Sequence, residues 1–123
     1  MEVISTSNAP KAVGPYSQAI KANGFLFLSG QGGIDPADGR VLAGLEAQAE
    51  QTMKNIAAIL AEAGVQFTDV VKTTCFQADM NDFAAFNAIY QRYFTGKPAR
   101  SCIAVKDLPL GFRCEVEVVA VCR

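Results

Sequence analysis

Apolar residues recur at helical spacing in two stretches of the chain. The first stretch predicts a helix over residues 45 to 63, with Gly64 as its C-cap. The second predicts a helix that Asp82 caps and that ends before Gly96 and Pro98. The stripe of the first helix consists of Leu45, Ala49, Met53, Ile56, Leu60 and Ala63, and that of the second of Phe83, Phe86, Tyr90, Tyr93 and Phe94. Each helix thus has one face to bury.

Short runs rich in β-branched and aromatic residues predict six strands. These runs are EVIS, QAIKA, FLFLSG, DVVKTTCFQ and the two that flank KDLPLG. Only Asn23 and Gly24 separate QAIKA from FLFLSG, which is the composition of a two-residue hairpin turn. The NAPKAVGPYSQ segment, which follows EVIS and leads into QAIKA, carries two prolines and a glycine, so it is predicted to be a shaped loop.

This order of elements predicts an α+β protein in which both helices cover one face of a single mixed sheet. The crossovers that carry the helices are expected to be right-handed. The other sheet face then stays uncovered, although many of its positions are apolar: Leu26 or Phe27, Val71, Ile103, Val119 and Val121. An uncovered apolar face indicates a partner surface, and self-association is the simplest way to cover it.

The composition is that of one globular domain spanning residues 1–123, with 50% hydrophobic and 19% charged residues and a net charge of −1. Nucleic acid is not the expected partner, because phosphate binding needs clustered lysine and arginine. No apolar run is long enough to span a bilayer, and the N-terminus does not resemble a secretory signal. A soluble cytoplasmic protein is therefore expected.

Cysteine and histidine usage narrows the possible chemistry. None of the four cysteines stands in a CxxC pair, so they are expected to be reduced thiols that pack as small hydrophobes. The chain has no histidine, which excludes a Ser-His-Asp triad, a Cys-His pair and a His-ligated metal.

Charged residues in the last two predicted strands are the main candidates for chemistry. Arg100 and Cys102 share one face of their strand, whereas Glu115 and Glu117 share a face of the last strand with Val119. Charged groups are rarely buried unless they are paired. The alternation of side chains along these last two predicted strands does not decide whether the strands pair directly with each other. An Arg–Glu ion pair at a sheet edge, which would stabilise the fold only slightly, remains an alternative to a functional site.

Three further positions carry polar groups in unusual surroundings. Asn87 lies inside the aromatic stripe of the second helix, where it either caps a nearby backbone group or faces a ligand. Ser29 and Gly30 end a strand at a point where bare backbone either approaches a small ligand or turns the chain. Tyr16 lies in the proline-containing loop as either a packed aromatic or a functional hydroxyl.

Several motifs together resemble the Rid (YjgF-like) family, and most of all its reactive intermediate deaminase A subfamily, the 2-iminobutanoate/2-iminopropanoate deaminases. They are GPYSQA, FLSGQGGIDPADG, QAEQTMKNIAAILAEAG, FTDVVKTTCF, FNAIYQRYF, PARSCIAV and EVEVVA, in order along essentially the whole chain. The most specific part is PARSC followed by the glutamate of EVEVVA, fifteen residues after its arginine. Two glycines at positions 32 and 33 and the VKDLPLGFRC segment depart from the usual pattern.

The resemblance implies a chorismate-mutase-like single domain that forms a homotrimer with active sites in clefts between subunits. It also implies that the last strand is inserted within the sheet. Members of this family hydrolyse enamine and imine acids released by pyridoxal-phosphate enzymes to 2-keto acids and ammonia, without a metal or organic cofactor. By position, Arg100 would bind the substrate carboxylate and Glu115 would handle the water. The cleft would be lined by Tyr16, Ser29, Gly30, Asn87 and Cys102.

Three alternatives remain open. In the first, the protein is a non-catalytic regulatory protein that binds small carboxylates in the same cleft. In the second, it is a related deaminase that acts on another imine or enamine acid. A ribonuclease or translation inhibitor, a label that some relatives carry, is disfavoured by the net negative charge and the missing histidine. Cys102 is expected to line the cleft, because no histidine is present to generate its thiolate.

Overall fold

The structure, a computed structural model, describes residues 1–122. Its strands are β1 (Glu2–Ile4), β2 (Ala19–Ala22), β3 (Phe25–Gln31), β4 (Val70–Gln77), β5 (Ala99–Ala104) and β6 (Cys114–Val121), and its helices are α1 (Leu45–Glu62) and α2 (Phe83–Tyr93). The predicted α+β class, the six strands and the two helices are confirmed. Within this part of the chain, neither helix has the length and apolarity needed to cross a membrane.

The strands form one mixed sheet in the order β1-β2-β3-β6-β4-β5. Only β4 and β5 pair in parallel, and α2 connects them. The last strand, β6, is antiparallel to both of its neighbours, β3 and β4. The insertion of the last strand within the sheet, which the family resemblance implied, is therefore confirmed. The two strands that flank KDLPLG do not pair with each other, because β4 lies between them.

Both helices pack against the same sheet face, and the core lies between them and the sheet. Fully buried residues of α1 and α2, such as Met53, Ile56 and Phe86, face buried strand residues such as Leu26 and Val116. The opposite sheet face has no cover within the described chain, and apolar side chains there are exposed: Phe25, Phe27, Val71 and Ile103. Of the two alternatives given for β3, Phe27 lies on the uncovered face and Leu26 in the core.

The ends of the elements follow the sequence signals with one exception. Asn23 and Gly24 both adopt positive φ, at 52° and 81°, as a tight hairpin turn requires. Helix α1 has Ala63 as its C-cap, and Gly64 follows in the left-handed region at φ 73°. The prediction that the Asp82 side chain caps α2 is wrong. Asp82 occupies the N-cap position, but its carboxylate accepts no capping hydrogen bond and instead binds Arg113, which approaches from the start of β6.

Candidate functional site

A cavity of about 870 Å³ opens on the uncovered side of the sheet, where β3 meets β6. The polar part of its wall includes four of the predicted site residues, Tyr16, Ser29, Gly30 and Glu115. The apolar part comes mainly from the loops, through Val13, Ile34, Pro36, Pro109, Leu110 and Phe112. The cavity thus combines a carboxylate, hydroxyl groups and bare backbone with an apolar mouth, which is the usual composition of a small-molecule site.

Glu115 lies directly against the backbone of Gly30. A β-carbon added to Gly30 would lie 2.8 Å from Cδ of Glu115, so only glycine leaves room for this carboxylate. Within residues 1–122 no hydrogen-bond donor or cation is bound to Glu115. Burial raises the pKa of Glu115 above its ordinary value, and repulsion from Glu117 raises it further. A carboxyl group in such surroundings exchanges protons closer to neutral pH than an ordinary glutamate.

The loop that carries Tyr16 is held at the cavity by hydrogen bonds between side chains and backbone. Ser29 donates its hydroxyl hydrogen bond to the carbonyl of Ser17 at 2.6 Å, which holds the loop that carries Tyr16. The Tyr16 hydroxyl accepts a long hydrogen bond of 3.4 Å from the Val13 amide, while its side chain stays about half exposed. The Tyr16 hydroxyl can therefore still donate a hydrogen bond to a molecule in the cavity.

Buried amides of α1 hold the segment that follows Gly30. Asn55 donates hydrogen bonds to the carbonyls of Gly32 and Ile34, at 3.1 and 2.9 Å. Gln48 donates to the carbonyl of Leu42 and accepts from the amide of Arg113, at 2.9 and 2.8 Å. Both side chains are almost fully buried. They therefore fix the cavity wall and the start of β6 relative to the helix layer.

Gly32 and Gly33 both lie against neighbours that leave no room for a side chain. A β-carbon on Gly32 would lie 2.7 Å from ring atoms of Phe112, and one on Gly33 would lie 2.6 Å from Cα of Gln48. Phe112 belongs to the segment between β5 and β6, and its ring is buried against Gly32. Gly32 and Phe112 therefore fit together in the wall of the cavity.

Arg100 lies on β5, the edge strand, and points to the helix-covered face. Its Nη1 donates a hydrogen bond of 2.7 Å to Oδ1 of Asn87. Its guanidinium carbon lies 4.6 Å from the centre of the Tyr90 ring and 5.5 Å from that of Phe83. Neither alternative given for Asn87, a backbone cap or a ligand contact, describes this hydrogen bond to Arg100. Within the described chain Arg100 has no carboxylate partner, so its charge is available for an anion.

Cys102 lies beside Arg100 and is paired across β4 and β5 with Cys75. Burial raises the pKa of the Cys102 thiol, although the Arg100 guanidinium opposes this rise. Burial also raises the pKa values of Cys75 and Cys114 to about 12. All four cysteines are free, and these three thiols stay protonated at neutral pH. The raised pKa of the Cys102 thiol thus argues against a nucleophilic role for this residue.

The predicted site residues form two groups on opposite faces of the sheet. Arg100 is in register with Thr73, which is buried under α2, whereas Glu115 is in register with Phe76 on the uncovered face. Asn87 and Cys102 belong with Arg100, and the cavity residues belong with Glu115. The alternative of an Arg100–Glu115 ion pair at the sheet edge is therefore wrong. A single chain also does not bring the two charged groups together.

Several residues that shape these two groups were missed by the sequence analysis. Tyr90 and Thr73 support Arg100, while Gln48, Asn55 and Phe112 shape the cavity. The polar residues Gln48 and Asn55 of α1 lie beside its apolar stripe, and the residues that they bind lie far away in the chain. Within residues 1–122, no group of three or more carboxylate or thiol side chains is arranged to hold a metal ion.

Comparisons with known proteins identify the family and agree with the fold. The family model described as Endoribonuclease L-PSP matches residues 6–122. The Mus musculus protein named 2-iminobutanoate/2-iminopropanoate deaminase is 48% identical over 122 residues, covering 98% of this chain and 90% of the mouse protein. The crystal structures of the E. coli YjgF gene product and of E. coli TdcF with bound serine each give a TM-score of 0.95, at 42% and 36% identity, covering 100% of both chains.

The order of the six strands and the position of both helices on one sheet face define a class of small α+β proteins. Within that class, the chain belongs to the Endoribonuclease L-PSP family, which includes the YjgF and Rid proteins.

Proposed function

We propose that this protein is an enamine/imine deaminase that converts small 2-imino acids and their enamine tautomers to 2-keto acids and ammonia. The observation that carries the proposal is a pair of charged residues without ion partners in the described chain. Glu115 is a half-buried glutamate with a raised pKa in the cavity, and Arg100 is an arginine that no carboxylate binds. The 48% identity to a mouse protein named as such a deaminase supports the same conclusion.

A working site needs both groups, and two copies of the chain would supply them. Arg100 lies on the edge strand β5, and the apolar face next to that edge has no cover within the described residues. A second copy that packs on this face would bring its own Arg100 towards the Glu115 cavity of the first. We therefore propose a homotrimer with one site in each of the three inter-subunit clefts, in the cytoplasm, where the thiols stay reduced.

The chemistry follows from the groups that meet in such a cleft. The guanidinium holds the substrate carboxylate through two charge-assisted hydrogen bonds and fixes the imine carbon above Gly30. Glu115 removes a proton from water as the water oxygen adds to the carbon of the protonated imine, which gives a neutral carbinolamine. Glu115 then passes this proton to the nitrogen. The carbon–nitrogen bond breaks, ammonia leaves, and Glu115 takes up the hydroxyl proton as the carbonyl forms. In this mechanism the Tyr16 hydroxyl donates a hydrogen bond to the adding oxygen.

A coupled assay tests the proposed activity. A pyridoxal-phosphate dehydratase acting on serine or threonine releases the reactive acid, and 2-keto acid formation is followed with and without this protein. We expect faster formation with the wild type. Glu115→Gln should lose about a hundredfold or more of that rate, the usual contribution of a positioned base. Glu117→Gln, the matched control on the same strand face, should retain most of it.

Other outcomes assign other functions. Binding of 2-ketobutanoate without any rate enhancement would make the protein a non-catalytic carboxylate binder. Enhancement with other amino acid precursors, but not with serine or threonine, would make it a deaminase of a different imine acid. Cleavage of RNA that Glu115→Gln does not affect would support the ribonuclease alternative.

Subunit mixing tests the shared site. Arg100→Ala and Glu115→Gln chains, each inactive alone, are unfolded together and refolded in equal amounts. Random trimers would pair an intact arginine with an intact glutamate in about a quarter of the clefts. Activity of that order supports the inter-subunit site. No recovery in mixed trimers would mean that each site uses residues of a single chain. A stable monomer in sedimentation would exclude the trimer itself.

A further inference from the structure

Arg100 is held from its flat side by aromatic rings and not by an acidic residue. Its guanidinium lies over the Tyr90 ring at 4.6 Å, while Asn87 accepts one hydrogen bond from Nη1. A cation over an aromatic face is attracted by the ring quadrupole. This contact leaves the remaining N–H groups at the edge of the guanidinium unused, and these are the groups that a carboxylate binds in two-pronged fashion.

The Tyr90 ring is itself fixed on every side. Its hydroxyl shares a buried hydrogen bond of 2.7 Å with Oγ1 of Thr73, the residue in register with Arg100 on the neighbouring strand. Its ring stacks on Phe94, with centroids 4.5 Å apart, and lies 5.9 Å from Phe86. Burial raises the pKa of Tyr90, so the phenol stays neutral at physiological pH. The ring is therefore a rigid, uncharged platform.

We propose that Tyr90 is a positioning residue that holds the Arg100 guanidinium ready for the substrate carboxylate; this inference rests on the proposed function. An arginine side chain without support loses conformational entropy in several rotatable bonds when it binds a ligand. A carboxylate support would restrict it equally well but would compete with the substrate for the same donors. A neutral aromatic face restricts the guanidinium and leaves its donors and its charge available.

The inference is tested by measuring 2-ketobutanoate binding and the steady-state constants of variants at position 90. Tyr90→Leu should weaken binding and raise KM by about three- to tenfold, the cost of ordering one long side chain, with a smaller change in kcat. Tyr90→Phe keeps the ring, so it should bind as the wild type does even if losing the hydrogen bond to Thr73 lowers its stability. Phe67→Leu removes an aromatic ring whose ring contacts are with Tyr93 and Phe94 and not with Tyr90 or Arg100, and it should leave KM unchanged.

A second series keeps the shape of the ring and changes only its electron density. Phenylalanine with one, two or three ring fluorines at position 90 should bind 2-ketobutanoate progressively more weakly, because fluorine withdraws charge from the ring face. A purely structural role would give no such trend. The series also remains informative if Tyr90→Leu fails to fold.

The outcomes separate this inference from the proposed function. If Arg100→Ala abolishes binding but the fluorinated series and Tyr90→Leu bind as the wild type does, the role of Tyr90 is overturned and the anchor role of Arg100 stands. If Arg100→Ala itself binds normally, the proposed carboxylate anchor is overturned. Equal losses in Tyr90→Leu and Phe67→Leu would attribute the effect to general loss of packing and also overturn the inference.

Discussion

Gly30→Ala separates the stability of this fold from its activity. The added β-carbon would lie 2.8 Å from Cδ and 3.1 Å from Cγ of Glu115. Carbon atoms in contact are normally at least about 3.5 Å apart, so the carboxyl group must move by roughly 0.7 Å or more. The cost to folding should be small, because the displaced atoms belong to the end of a flexible side chain beside a cavity. We expect a loss of unfolding free energy of about 1 kcal/mol or less.

The cost to activity should be far larger. A displacement on the order of 1 Å in a reacting group lowers a rate by about a hundredfold. We therefore expect kcat/KM in the coupled dehydratase assay to fall by roughly that factor, while the thermal unfolding midpoint changes little. Gly96→Ala is the matched control, since its β-carbon would make only ordinary contacts, at 3.6 Å or more, with Thr68. It should leave both quantities unchanged.

Two results would refute this reasoning. A folded Gly30→Ala protein with wild-type kcat/KM would mean that the position of Glu115 does not matter for turnover. A large loss of stability without an additional loss of activity per folded molecule would mean that Gly30 serves packing alone.

Three further predictions follow from the charges and thiols. The acid limb of the pH profile of kcat should follow the raised pKa of Glu115. Glu117→Gln removes the repulsion that helps to raise this pKa, so it should move the acid limb to lower pH. An acid limb that does not move would belong to another group. Cys102→Ser should keep most of the turnover, and complete loss with a trapped covalent adduct on the wild type would identify a nucleophile. Arg100→Lys should bind 2-ketobutanoate poorly, since an ammonium lacks the planar fork, and wild-type affinity would contradict a two-pronged anchor.

The sequence was sufficient for features that depend on neighbouring residues. The Asn23-Gly24 turn forms because both residues tolerate positive φ, and α1 forms where its apolar stripe predicted it. Glu115 and Gly30 lie in one cavity. The family resemblance had assigned both residues to one cleft, whereas their spacing in the sequence alone did not.

Features that depend on distant segments were not predictable in this way. Asp82 had the signature of a helix cap, but Arg113, thirty-one positions away, binds its carboxylate. Alternation gave the face of each strand relative to its own neighbours, but only the strand order shows that Arg100 and Glu115 point to opposite faces. The polar side chains of Gln48 and Asn55 had no interpretation until the loops that they bind were placed.

The central position of β6 has a consequence for how the protein is made. The strand that joins the two halves of the sheet, residues 114–121, is the last of the described strands in chain order. During synthesis, the β1-β2-β3 unit and the β4-α2-β5 unit are made before it and have open inner edges until β6 pairs with them. Such edges can pair with other chains, so the nascent protein is most prone to aggregation before β6 is in place. A stop codon at position 114 should therefore give two unjoined half-sheets and insoluble protein, not a slightly destabilised domain.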